Sequence, residues 1–240
     1  MLTARDARKV APLRVHYPVM MNPFNVLRDA CYFSIRNLLP LALICLPFIA
    51  LESSLQRVLG EALDHQVPPL YPMLIALVIY PIYSTSLILF MDARTRGEMP
   101  RVGALWLSSA LLWPRMSVLA GISTLLIMLG MSLFVLPALW VMTRLAFAEY
   151  LLILEGRTPL QAMRDSYELT RGHFWTILLC LIVVLVPVWT LEFWLTDAPD
   201  EPRMDAAAEI LSGSLIGFVQ MFSSVVLYRL YMLRQAEGHA

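Results

Sequence analysis

Residues 116–143 contain 28 consecutive positions without Asp, Glu, Lys or Arg. A helix needs about 20 mostly apolar residues to cross a hydrocarbon core of about 30 Å. Few soluble folds can bury so long an uncharged run, whereas a bilayer accepts it at no cost. Residues 66–91, 174–191 and 210–228 are also free of these four residue types. The chain is 59% hydrophobic and 15% charged, against roughly 45–50% and about 25% in soluble domains. The pattern predicts an all-α polytopic membrane protein. With 18 basic and 18 acidic residues, the chain is no polycation, so no nucleic-acid partner is expected. Cys31, Cys45 and Cys180 are widely spaced in apolar runs. They read as packing residues, not as a disulfide or zinc framework. No cofactor or metal motif is legible, and the histidines (His16, His65, His173 and His239) are dispersed.

Six spans are expected, at about 31–51, 70–91, 117–136, 138–155, 174–195 and 208–230. The first has the weakest flanks. Its uncharged part, 37–51, contains Pro40 and Pro47, and it crosses only if Arg36 snorkels to the headgroups. Residues 116–155 read either as one kinked helix or as two spans turning near Pro137. Forty residues at about 1.5 Å each make about 60 Å, twice the hydrocarbon thickness, which favours two. Arginine placement gives an independent test. With six spans, 15 of the 18 basic residues fall on one side, Arg57 and Arg203 on the other, and Arg144 within a span. Five spans would erase that bias. Both termini are therefore expected in the cytoplasm, with short acidic outer loops at 52–69 and 196–206. The division is a basic tail (1–21), a single six-helix membrane domain (22–235) and a C-terminal tail (236–240). No apolar core precedes Asn22, so no cleavable signal peptide is expected.

Three amphipathic helices on the cytoplasmic side are predicted to lead into the hairpins. Asn22-Pro23 is a helix start, with Phe24, Leu27, Cys31, Ile35 and Leu38 on one face and Asp29 and Arg36 on another. Pro100 opens the second, with a stripe of Val102, Leu105, Trp106, Leu112 and Trp113 against Arg101, Ser108 and Arg115. Its uncharged stretch, 102–114, is too short to span and should lie in the interface. Thr158-Pro159-Leu160-Gln161 opens the third with a capping-box pattern, and Gly172 is placed to end it. Leu160, Met163 and Tyr167 form its stripe, and Arg164, Glu168 and Arg171 are spaced to pair on its polar side. The first and third share Pro, four residues, then Arg-Asp, which leaves a threefold duplication open.

The stretch 144–175, RLAFAEYLLILEGRTPLQAMRDSYELTRGHFW, resembles the YciC-like bacterial inner-membrane proteins. It is also similar to the membrane domain beside some glycerophosphodiester phosphodiesterases. The pattern is Arg144 after a Pro137-kinked span, Glu155-Gly156 ending the next, then Ser166…Leu169-Thr170-Arg171-Gly172 before an aromatic-led span. MNPFNVLRDACYF near the N-terminus fits the same family. The resemblance, over about 22–235, implies a six-helix inner-membrane protein of undefined activity and carries over no catalytic residues. The phosphodiesterase active site belongs to a separate barrel of about 250 residues, for which this chain has no room.

Arg144 and Glu149 fall inside the fourth span, where charge is expensive and usually paired. Five apart, they lie about 140° round a helix and do not face each other. They form a candidate intramembrane polar centre, or each pairs with a neighbouring helix. Gly213-Ser214-Leu215-Ile216-Gly217 invites an intramembrane serine protease reading, but no histidine lies within a span to serve as base. The same residues make Gly213-x-x-x-Gly217, a small-residue packing face. Arg101, Arg115, Arg157, Arg164 and Arg171 are candidate contacts to lipid phosphate. The tryptophans read as an aromatic belt.

The expectation is thus a non-enzymatic inner-membrane protein, an accessory in envelope or membrane-lipid homeostasis. Its partners would be membrane lipids, chiefly anionic phospholipids, together with other inner-membrane proteins. The alternative is a small-molecule or ion transporter or channel with its polar centre at Arg144/Glu149.

Overall fold

A computed structural model describes residues 23–63, 68, 70–196 and 206–238. Among these the chain is helical throughout: α1 (Pro23–Arg36), α2 (Leu38–Ala62), α3 (Leu70–Thr95), α4 (Val102–Leu133), α5 (Val135–Leu145), α6 (Ala148–Leu154), α7 (Pro159–Leu169), α8 (Phe174–Thr196) and α9 (Ala206–Gly238). Five stretches are long and apolar enough to cross a membrane: α2, α3, α4, α5 with α6, and Gly213–Ala236 within α9. The count is six if α7 and α8, bent by 106° at their junction, are taken as one broken span. These apolar helices are consistent with a multi-pass membrane protein. The basic tail 1–21, the Asn22 cap and most of the outer loop at 196–206 lie outside the described residues.

The helices pack as a ring in the order α2, α3, α4, α5, α8 and α9, with α9 returning to α2. The short α6 fills the ring against α3 and α4. Phe147, Ala148 and all of residues 150–153 are buried, so most of α6 is covered, with its one charged residue, Glu149, half-buried.

Several sequence expectations are corrected. The segment 102–115 is not a separate helix: α4 runs unbroken for 32 residues through Pro114. The region 116–155 does divide into two candidate spans near Pro137, with the break at Phe134, three residues earlier, which is extended (φ −171°, ψ 164°). Gly130 makes the reversal possible, because a Cβ there would sit 2.9 Å from the Ala138 backbone. Residues 52–62 are not loop. α2 continues to Ala62, and Arg57 pairs with Glu61 one turn on at 2.8 Å, the spacing at which opposite charges support a helix. On α1, Val26 and Ala30 are buried, as is Asn37 just after it, while Cys31 and Ile35, expected on the apolar face, are exposed. In lipid, exposure of an apolar side chain carries no penalty, so hydrophobicity alone does not tell inside from outside.

Two tryptophans expected in an aromatic belt turn inward. Pro47 and Pro81 lie inside α2 and α3, and each removes an N–H from the helical ladder. Trp106 Nε1 donates to the Ile44 carbonyl at 3.3 Å, and Trp113 Nε1 donates to the Val78 carbonyl at 2.8 Å. Each acceptor lies three residues before a proline, next to the i−4 carbonyl that the proline leaves without its N–H, so an indole from α4 bonds to the backbone beside each proline.

Candidate functional site

The polar groups of the bundle centre on the break between α5 and α6. In an unbroken helix the Phe147 N–H would bond to the carbonyl of Thr143. Instead it donates to Ser166 Oγ at 3.1 Å, and Ser166 Oγ donates to the Arg144 carbonyl at 2.8 Å. A hydroxyl from α7 is thus inserted into the ladder, a recognised cause of a sharp kink. Ser166 is fully buried, as are Ala162 and Thr170 on the same face of α7. This small-residue row is the inward face of α7. Sequence reasoning missed it because Ser and Thr counted as polar. The available signal was Ala162-x-x-x-Ser166-x-x-x-Thr170, a row of small residues spaced by four.

Arg144 leaves α5 into an aromatic cage. Its guanidinium carbon lies 4.6 Å from the Tyr167 ring centre, 5.2 Å from Phe174 and 5.7 Å from Trp140. Nη1 donates to Thr170 Oγ1 at 3.3 Å, while the buried Nε has no hydrogen-bond partner among the described residues. A desolvated cation over aromatic faces is stabilised by about 2 kcal/mol. Glu149 turns to α3 instead, accepting from Tyr80 Oη at 2.7 Å and Ser84 Oγ at 2.9 Å. The two charged residues therefore serve separate polar nests on either side of the break, and neither lines the cavities of about 410 Å³ and 450 Å³ at the arginine-bearing end of the bundle.

That end is assembled from α1, the α3–α4 turn, α7 and the last turns of α9. Asp29 pairs with Arg229, Arg234 donates to the Leu169 carbonyl, and Glu155 accepts from Tyr231 and Gln235. On α7, the Thr158 N–H donates to Gln161 Oε1 at 3.4 Å, and Gly172 follows the helix at φ +88°. Arg157 lies between Glu155 (3.2 Å) and Asp165 (3.4 Å), and Arg171 lies 3.5 Å from Glu168. The pairing of Arg164 with Glu168 that their spacing allows is not formed. Arg164 is exposed and makes no ion pair among the described residues, as do Arg101 and Arg115. A cavity of about 450 Å³ opens among Leu151, Glu155, Arg157, Asp165, Glu168 and Arg234. Within it Arg157 is shared by Glu155 and Asp165, while Glu168 pairs with Arg171 outside the lining and Arg234 donates to the Leu169 carbonyl.

Gly213 and Gly217 lie against α2. A Cβ at Gly217 would meet Ile49 Cγ2 at 2.6 Å, and one at Gly213 would meet Ser53 Oγ at 3.0 Å. Ser214 is buried and its hydroxyl has no hydrogen-bond partner among the described residues.

Residues 70–233, well over half the chain, match the model of a family described as Uncharacterised protein family (UPF0259). The chain belongs to that family. No curated protein and no solved structure matches it. The UPF0259 region takes in the Ser166-bridged break, the Arg144 cage, the α7 arginines and Arg229. It begins after α1 and α2, so Asp29, Arg36 and Asn37 lie outside the match.

Proposed function

We propose that the protein is a non-enzymatic multi-pass protein of a bacterial inner membrane that serves membrane-lipid homeostasis by engaging anionic headgroups at its arginine-bearing end. The observation that carries this reading is an exposed arginine trio, Arg164 on α7 with Arg157 just before the helix and Arg171 just after it. Each basic residue near an anionic surface is worth about 1 kcal/mol. Arg164 has no carboxylate partner and is the most available, while Arg157 and Arg171 are partly held. The resemblance of 144–175 to YciC-like inner-membrane proteins supports the membrane location and assigns no activity. Arg101 and Arg115 add to it. They bracket the first four turns of α4, leaving 116–133, 18 uncharged residues or about 27 Å, for the hydrocarbon core.

This reading puts the arginine-bearing end and both termini in the cytoplasm. Reporter fusions after Arg96 and Arg164 are expected to read cytoplasmic, and those after Asp64 and Asp200 periplasmic. A periplasmic signal at Arg164 refutes the orientation.

For the lipid role, the full-length protein is purified in mild detergent and the co-purifying lipids are weighed by mass spectrometry. Anionic phospholipid is expected several-fold above its share of the source membrane. Rising salt should strip it, and changing Arg157, Arg164 and Arg171 to Gln should deplete it. Lipid that mirrors the bulk membrane overturns the reading. So does a solute flux in liposomes that Glu149→Gln abolishes without loss of folded protein, since that outcome belongs to a transporter.

A further inference from the structure

A second cavity, of about 410 Å³, lies where α1, the end of α3 and α9 meet. Its size is that of a small-ligand site, and three arginines line it: Arg36, Arg94 and Arg229. Asp29 is the lone carboxylate in the lining and is taken by Arg229 at 3.1 Å. Two guanidinium charges therefore remain without an acidic partner among the described residues. Like charges gathered at the rim of a low-dielectric protein repel one another unless an anion sits between them.

Arg94 is held for such a role. Asn37, only 4% exposed, occupies the break between α1 and α2. Its Nδ2 donates to the Phe33 carbonyl at 2.8 Å, and its Oδ1 accepts Arg94 Nε at 3.0 Å. The guanidinium is thereby oriented through Nε, and both terminal nitrogens remain without a protein partner among the described residues. Arg36 Nη1 donates to Tyr32 Oη at 3.2 Å, leaving the rest of its fork open. Paired guanidinium forks suit the oxygens of a phosphate. The surface beside the cavity indicates where that phosphate comes from. Tyr32, in the lining, and Ile35 and Leu39, outside it, are 65%, 74% and 70% exposed and give α1 and the start of α2 an apolar flank. Acyl chains can lie along such a flank, whereas a free phosphate gains nothing from it.

We infer that this cavity is a specific phospholipid site, with Arg36 and Arg94 gripping the phosphate of one anionic lipid whose chains lie along Tyr32, Ile35 and Leu39. The inference rests on the lipid-binding reading above but places the tight site on α1 and α3, away from the arginine trio at α7.

The test is native mass spectrometry of the full-length protein in detergent, titrated separately with dioleoylphosphatidylglycerol, dioleoylphosphatidylcholine and sodium phosphate. One phosphatidylglycerol is expected to be retained per chain, with at least a tenfold preference over phosphatidylcholine and no competition from millimolar phosphate. The double variant R36Q/R94Q should lose that preference. The triple variant R157Q/R164Q/R171Q should keep it. Arg94→Lys keeps the charge but lacks the fork and Nε, and should lower retention several-fold even if the double variant folds poorly. Unchanged retention in Arg94→Lys and R36Q/R94Q overturns the site. Stabilisation by sodium phosphate without retention of phosphatidylglycerol overturns the lipid assignment. Loss of retention in the α7 triple variant alone refutes the cavity and leaves the broader lipid reading intact, whereas no preference in any form refutes both.

Discussion

Replacing Ser166 by alanine is expected to cost about 2–5 kcal/mol, because it leaves two buried backbone groups without partners at once. The Phe147 N–H loses its acceptor and the Arg144 carbonyl loses its donor. Straightening the helix to re-form the bond from Phe147 to Thr143 offers no escape. It would swing the buried Phe147, Tyr150 and Leu152 away from their contacts and move Arg144 off the Tyr167 ring. Thermal unfolding in detergent measures the effect. Ser108→Ala is the control, since that exposed hydroxyl only bonds back to Ala104 in its own helix, and its loss should cost under about 0.5 kcal/mol. Equal melting temperatures for the two variants would show that the bridge contributes nothing.

Gly130→Ala is the second large effect, expected to cost about 1–3 kcal/mol, with Gly130→Leu failing to accumulate as folded protein. The added methyl would lie 2.9 Å from both the Ala138 Cα and its amide nitrogen. These are backbone atoms, so no rotamer change relieves the clash and the α4–α5 reversal must open. Gly121, on the same helix, gives the opposite result. A Cβ there meets only Leu77 methyls at 3.7 Å, an ordinary contact, so Gly121→Ala should be neutral or should stabilise by up to about 1 kcal/mol through helix propensity. Limited proteolysis within 131–138, compared between the two variants, checks the mechanism. If Gly130→Ala is as resistant and as stable as Gly121→Ala, the close approach does not hold the hairpin.

Much of the helical layout was legible along the chain. Residues 70–91 and 174–195 were read as spans and are helical from Leu70 to Thr95 and from Phe174 to Thr196. Proline at the first helical position marked Pro23 and Pro159 as starts, and Gly172 marked a stop. Arg144 and Glu149 stand out as charges inside an apolar run, but the 140° between them supposes one continuous helix, whereas a break at 146–147 separates the two residues. The break at 146–147 was invisible because no Gly or Pro occupies it. Its cause is Ser166, nineteen residues on from Phe147. Trp106 and Trp113 misled for a related reason. An indole at a membrane interface and an indole bonding to backbone beside a proline carry the same pattern, and only the positions of Pro47 and Pro81 on the facing helices distinguish them.

By itself, then, the sequence determined which segments are apolar enough to leave water, because that free energy is a sum over single residues and their neighbours within a turn. The tertiary structure decided which faces meet, since in a bilayer both faces of a helix are apolar and hydrophobicity no longer ranks them. It also decided the cluster of Arg36, Arg94 and Arg229. These residues are separated by 58 and 135 positions, and only the closure of α9 onto α1 and α2 brings their charges to one cavity.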